Sequence, residues 1–448
     1  MRLTTGILMC CGSLATALPA QSPTCGIDTA ARADVAAIAE AISTRYVYLA
    51  DRRVNWPAAV ARTRGAADSV RGTRATITLL EPLLEQLWDA HVSLRANTAR
   101  SPRLVPSGLD LWAEWRRTRD GRDRAVVTGV RPEFSAAQAG VRPGMTILAI
   151  DDVPIAEAVS RRLGADLPHP VPPAARDWAL LAVLAGRHAI PRRLQVADVG
   201  GAVRTMALDL PGHRSPSEPL PVPPVEVRVL DAAGRLVPVT AGSAAGAIGY
   251  VRLNALGDEA SVAAFDTALE TLHGARALVL DLRNTPGGGN TGVAEPILGR
   301  FITDTMGYQR VVPRDGSPRV RTVAPRGPWT WRLPVAVLVG RWTGSMGEGM
   351  AIAFDGMRAH GRPRGVVVGT RMAGLAGAVE EVTLPCSGIG LGFPTARLLH
   401  LDGTPRERWR PPVLVNLVDE ARPRHTSTSG THDPVLARAV RLLRRIRG

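Results

Sequence analysis

From Ile248 onward the chain alternates short apolar runs with amphipathic ones, and this alternation restricts the fold more than any other feature. Ile248–Leu253 reads as a strand. Residues 258–272 read as a helix with Val262, Phe265, Leu269 and Leu272 inward. Ala277–Leu282 and Val335–Val339 read as buried strands, and Val366–Val368 as a third. Helices are expected over 291–301 and 346–357. Runs that are apolar at nearly every position are covered on both faces, and strand–helix–strand order implies a largely parallel sheet.

The rest of the chain reads differently. Residues 25 to about 100 look helical, with Val35, Ile38, Ile42 and Tyr46 on one face and Leu79, Leu80, Leu83, Leu84 and Leu87 on another. Between about 104 and 160 short strands appear, Arg124–Val130 and Met145–Ile150, flanking a short helix at Ser135–Gly140. Residues 176–186 read as a further helix, and the proline-rich stretch 211–224 as a linker. Near the end, Asp433 reads as the N-cap and Pro434 as the first residue of an amphipathic helix with Leu436, Val440 and Leu443 inward. Its arginine face is expected in water.

Charge narrows the chemistry. All 55 basic residues are Arg, against 40 acidic ones, for a net charge of +15. No Lys is present, which excludes Schiff-base catalysis, a P-loop lysine and a Ser–Lys dyad. A guanidinium cannot replace that base, because it stays protonated. The arginines are scattered and aromatics make up only 4% of the chain, so a nucleic-acid partner is not expected. No metal or cofactor is called for: H-E-x-x-H is absent and Cys25 and Cys386 are far apart. Residues 1–20 read as a secretory signal ending in Ala17-Leu18-Pro19-Ala20, with a lipid anchor at Cys10 or Cys11 as the lesser alternative. Cleavage would leave Cys25 and Cys386 in an oxidising compartment that permits a disulfide. No stable membrane insertion is expected afterwards.

Three segments could carry chemistry. Ser345, in Gly340-Arg341-Trp342-Thr343-Gly344-Ser345-Met346-Gly347-Glu348, follows a buried strand and opens a helix. A helix N-terminus offers free N–H groups and positive partial charge beside the hydroxyl. Ser345-x-x-Glu348 equally matches a capping box, in which Ser345 is only an N-cap. Asp281-Leu282-Arg283-Asn284-Thr285-Pro286-Gly287-Gly288-Gly289 is a strand end entering a glycine turn whose N–H groups can approach a ligand. His91, in Asp89-Ala90-His91, has no neighbouring His or Cys.

Together these motifs, in this order, resemble the C-terminal processing (tail-specific) and tricorn-type serine peptidase family. Asp281–Gly288 resembles its glycine loop and Gly344-Ser345-x-x-Glu348 its nucleophile turn. Ala137-x-Ala139-Gly140-Val141-Arg142-Pro143-Gly144 resembles its PDZ-like module, and Val368-Gly369-Thr370-Arg371-x-x-Gly374 the loop after the nucleophile helix. The resemblance implies an α/β fold: a Clp-protease/crotonase-like core over 216–420, an N-terminal helical region over 21–100, an inserted PDZ-like domain over 101–215 and a basic helical tail over 421–448. It implies a periplasmic or extracellular serine endopeptidase acting on protein or peptide, its PDZ-like domain presenting substrate. The family's Ser–Lys branch has its Lys where Leu375 stands, so the resemblance points to the branch with a Ser-His-Glu triad. Ser345 would be the nucleophile, His91 the general base and Glu407 the acid that orients it. Gly287 or Gly288 and Met346 would hold the oxyanion through their N–H groups. Two departures stand out: Ala90 precedes the His where the pattern often has Ser, and Trp409-Arg410-Pro411-Pro412 follows Glu407 in place of Gly-Val-x-Pro-Asp. Two other readings stay open. One is a catalytically silent PDZ-containing peptide-binding protein. The other is an α/β-hydrolase esterase using Ser345, Asp402 and His425 or His432.

Overall fold

A computed structural model of the protein describes residues 25–26, 29–118, 121–214, 222–359, 365–420 and 433–446. The signal segment 1–20, His425 and His432 lie outside the described residues, as does half of the linker, 215–221.

The N-terminal region folds as α1 (Ala30–Arg45), α2 (Trp56–Ala67) and α3 (Thr73–Glu85). Helix ends at Glu85 rather than near 100; the chain then turns through His91 into the two-residue strand β1 (Ser93–Leu94). The apolar faces read from sequence are buried: Val35, Ile38, Ile42, Tyr46, Leu80, Leu83, Leu84 and Leu87 share one core.

An inserted unit follows. Strands β2 (Leu111–Arg117), β3 (Asp123–Val130), β4 (Thr146–Ile150), β5 (Arg192–Ala197) and β6 (Val203–Leu208) form an antiparallel sheet in that order. Helices α4 (Ile155–Arg162) and α5 (Pro173–Ala185) connect β4 to β5. Where the chain enters and leaves, buried charges close on each other: Arg192 pairs with Asp110 at 2.9 Å and Asp209 at 2.7 Å, and Arg103 with Asp209 at 3.0 Å. Every carboxylate here has a guanidinium partner, as burial demands.

The large sheet comprises β7 (Val225–Leu230), β8 (Leu236–Val237), β9 (Ile248–Leu253), β10 (Ala277–Asp281), β13 (Val335–Val339), β14 (Gly365–Gly369) and β17 (Val413–Leu414), with α6 (Ala260–Thr271), α7 (Thr291–Leu298) and α8 (Met346–Ala359) among them. Its order is β17-β14-β13-β10-β9-β7-β8. The pairings from β9 through β17 are parallel, and β7 and β8 are antiparallel additions. Alternation decides the two faces. Leu278, Leu280, Val335, Val337 and Val339 pack with α6, α7 and α8. Ala277, Val279, Ala336 and Leu338 pack under the last helix, α9 (Pro434–Arg445). Asp433 caps that helix, accepting from the N–H of Val435 at 3.1 Å and Leu436 at 3.0 Å.

A second β-layer was not evident from the sequence. Strands β11 (Met306–Pro313), β12 (Arg319–Val323), β15 (Ala378–Thr383) and β16 (Gly390–Leu399) join β1 in a five-stranded sheet. The N-terminal helices pack on it through Leu384, Ile389, Leu391 and Phe393. Cys25 and Cys386 are bonded across this contact. Beside them the buried Asp34 carboxylate accepts from the N–H of Cys386 at 2.9 Å and Ser387 at 3.1 Å. Among the described residues no helix is long and apolar enough to cross a membrane.

Candidate active site

Ser345 stands between the end of β13 and the first residue of α8. Its φ is 51°, in the left-handed region where a side chain costs about 1–3 kcal/mol. Its hydroxyl makes no hydrogen bond among the described residues. Only half of the capping box forms: Ser345 N–H donates to Glu348 Oε2 at 2.9 Å, while Glu348 N–H goes to the Ser345 carbonyl at 3.1 Å.

The glycine loop lies against this corner. Gly344 N–H donates to the Thr285 carbonyl at 2.9 Å, and a Cβ on Gly344 would meet the Pro286 carbonyl oxygen at 2.6 Å. Gly287 (φ 138°) and Gly288 (φ 76°) hold backbone shapes that side chains resist, and a Cβ on Gly287 would sit 3.8 Å from Ser345 Cβ. No backbone hydrogen bond among the described residues uses the N–H of Gly287, Gly288 or Met346. Three donors are therefore left on two segments that touch at Ser345. Asp281 and Arg283 of this motif are structural. They pair at 2.7 Å, and Arg283 reaches Asp433 at the cap of α9.

His91 approaches from the N-terminal region. Its Nδ1 lies 2.8 Å from the Ala376 carbonyl oxygen. A carbonyl only accepts, so Nδ1 carries the proton and the neutral ring keeps its lone pair on Nε2. Burial, with some help from Arg406, pushes its pKa down to about 4, so the ring is neutral at physiological pH. Asp89 fixes the backbone beneath it. One carboxylate oxygen accepts from His91 N–H at 2.9 Å, and the other from Tyr46 at 2.6 Å and Arg52 at 2.6 Å. Burial opposes the charge on Asp89, but Arg52 and these hydrogen bonds outweigh it and hold its pKa below the ordinary value.

Residues 374–377 form a hub. Glu348, 0% exposed, accepts from Gly374 N–H at 2.9 Å and Leu375 N–H at 3.2 Å as well as from Ser345. Burial pushes its pKa up to about 7, against the opposing pull of Arg406 and the three N–H groups. Arg406 donates to the Leu375 and Gly377 carbonyls, each at 3.1 Å. Leu375 is buried next to Gly344.

Glu407 follows Arg406 at the same hub, its carbonyl facing Gly374. Its Oε2 is buried without a hydrogen-bond partner among the described residues, and the carboxylate helps burial raise the pKa of Tyr48. It makes no hydrogen bond to His91, whose Nδ1 is taken by Ala376. His91 thus bonds residue 376 directly, Ser345 is linked to residues 374 and 375 through Glu348, and Glu407 lies beside Gly374. The sequence reading missed this hub, the support of His91 by Asp89, and Arg406. The short spacing in Asp89-x-His91 was the one available signal. Asp402, the acid of the esterase reading, instead faces His400 at 3.1 Å.

A cavity of about 280 Å³ is lined by Asp89, Ala90, Ser93, Ser107 and Trp178 among others, but not by His91 or Ser345. Among the described residues no cluster of His, Cys, Asp and Glu could hold a metal ion.

The parallel sheet, the left-handed serine at a strand–helix corner and the facing glycine donors together make an α/β fold with a candidate active site at Ser345. Residues 247–410 match the model of peptidase family S41, so the chain carries a domain of this tail-specific protease family. Two solved structures extend the likeness beyond that domain. The photosystem II D1 C-terminal processing protease is 19% identical, with 87% of this chain and 94% of that one covered and a TM-score of 0.54. Mature CPAF is 14% identical, with 86% and 92% covered and a TM-score of 0.55. At such identities these two likenesses speak for the fold. Compared with curated proteins, the chain has no match.

Proposed function

We propose that the protein is an exported serine endopeptidase in which Ser345 attacks the peptide carbonyl and His91 is its general base. The observation that carries this reading is the left-handed Ser345, facing a glycine loop with free N–H groups inside a family S41 domain. His91 Nε2 would take the Ser345 proton as the acyl bond forms and pass it to the departing amine; water would then release the acyl group. The N–H groups of Gly288 or Gly287 and of Met346 would hold the oxyanion. Glu407, half-buried beside Gly374 with its Oε2 out of solvent, would stabilise the imidazolium through charge, while the Ala376 carbonyl sets the tautomer. The inserted antiparallel unit would act as a PDZ-like module taking a peptide strand, on a Clp/crotonase-like core. The sequence of residues 1–20 and the Cys25–Cys386 bond both favour the periplasm or the exterior.

The mature protein treated with a fluorophosphonate probe tests this. Labelling is expected in the wild type, lost in Ser345→Ala and His91→Ala, and kept in His425→Ala. A wild type that neither labels nor cleaves casein would leave a silent binding protein. Labelling that depends on His425 and not His91 would leave the esterase.

A further inference from the structure

The turn that delivers Ser345 is anchored outside its own domain. Trp342, three residues upstream, is 7% exposed and belongs to the hydrophobic core of the inserted unit, with Leu109 and Trp112. Its indole N–H donates to the Leu109 carbonyl at 2.8 Å, and its ring meets Trp112 edge-on, with centroids 6.4 Å apart. A slot is built for it. Strands β2 and β3 shift register between Trp112 and Ala113, and the indole packs over Gly129 opposite, where a Cβ would lie 3.5 Å away in ordinary contact. Next to it, Arg341 pairs with Glu114 on β2. The glycine loop is gripped from the same side: Arg131, 4% exposed, donates to Asn284 at 3.0 Å and to the Ser107 carbonyl at 3.0 Å.

A left-handed serine persists only where its surroundings over-determine the backbone. Between Trp342 and Ser345 the chain is fully tied. Thr343 N–H bonds the Gly340 carbonyl at 2.8 Å, the Thr343 hydroxyl bonds Leu282 at 2.8 Å, and Gly344 bonds Thr285. A displacement of Trp342 therefore has little slack to absorb it before Ser345.

We propose that Trp342 is a positioning residue through which the inserted unit holds the Ser345 turn in its reactive conformation. The inference rests on the reading of Ser345 as nucleophile. It makes the inserted unit part of the assembled site as well as a binding module: any shift of β2 and β3 relative to the core is felt at the hydroxyl.

The test uses the mature chain and measures the second-order rate of fluorophosphonate labelling, kcat and KM on a peptide substrate, and thermal unfolding. Trp342→Ala is expected to slow labelling and lower kcat at least tenfold with KM nearly unchanged. Trp342→Phe keeps the ring in its slot and is expected to retain a third or more of the rate. Should Trp342→Ala not fold, the ion pair tests the same anchor: Arg341→Glu slows labelling, and adding Glu114→Arg restores it. Wild-type rates in folded Trp342→Ala, a loss confined to KM, or no rescue by the charge swap would overturn the proposal. A wild type that never labels would instead overturn the nucleophile assignment beneath it.

Discussion

The Nδ1–H of His91 and the carbonyl of Ala376, 285 residues apart in sequence, are joined by a 2.8 Å hydrogen bond. This bond ties the N-terminal region to the same four-residue hub that Glu348 fastens to the Ser345 turn. His91 and Ser345 are thus referred to one piece of backbone.

The two titrating groups at the hub make opposite demands on pH. His91 has its pKa pushed down to about 4, below the ordinary value of 6.5, so its contribution to stability is complete above pH 6.5 and is lost as pH falls toward 4. Glu348 has its pKa pushed up to about 7 from 4.5, so the fold resists its ionisation and that contribution is greatest below pH 4.5 and is lost as pH rises to 7. Melting temperature against pH should therefore fall less steeply from pH 6.5 toward 4 in His91→Gln, and decline less between pH 4.5 and 7 in Glu348→Gln. Unchanged curves in both variants would contradict the assignment.

Glu348→Gln replaces one of two acceptor oxygens with a donor that cannot receive an N–H. Ser345, Gly374 and Leu375 compete for the remaining one. Fluorophosphonate labelling is expected to fall roughly tenfold, about 1.4 kcal/mol of transition-state stabilisation, while circular dichroism stays native.

Asp89→Asn strips the counter-ion from Arg52, whose side chain is only 13% exposed. Breaking such a pair costs roughly 3–5 kcal/mol, because the other charge stays buried. Denaturant melts should show that loss. Labelling at a temperature where the variant is folded should also fall, since the amide can no longer serve all three donors that fix the His91 segment.

Reducing the Cys25–Cys386 bond frees a chain segment whose ends are 361 residues apart. The expected loss is about 2–5 kcal/mol, seen as a lower melting temperature with dithiothreitol. Labelling of Ser345 below the new transition should persist, because Asp34 still binds the N–H groups of Cys386 and Ser387. The double variant Cys25→Ser/Cys386→Ser should behave as the reduced protein.

What could be read along the chain was local. Ala277–Asp281 and Val335–Val339 were legible as strands because every residue in them is apolar up to Asp281, and Asp433-Pro434 as a helix start because the cap and the fixed proline φ act within one turn. The four strands of the second β-layer were not, since β16 contains Pro394 and three of the five residues of β12 are Arg or Thr. Their strand character comes from pairing with each other and from burial under the N-terminal helices.

The absence of Lys already requires any base for Ser345 to be another residue type, and the local pattern puts Ser345 where a helix opens at a strand end. What surrounds that serine depends on how the chain packs: the carbonyl that sets the tautomer of His91, the carboxylate that ties its turn to residues 374 and 375, and the slot that receives Trp342. Each of these joins segments tens to hundreds of residues apart. Such contacts follow from how packed layers close on one another, and periodicity within any single segment carries no trace of them.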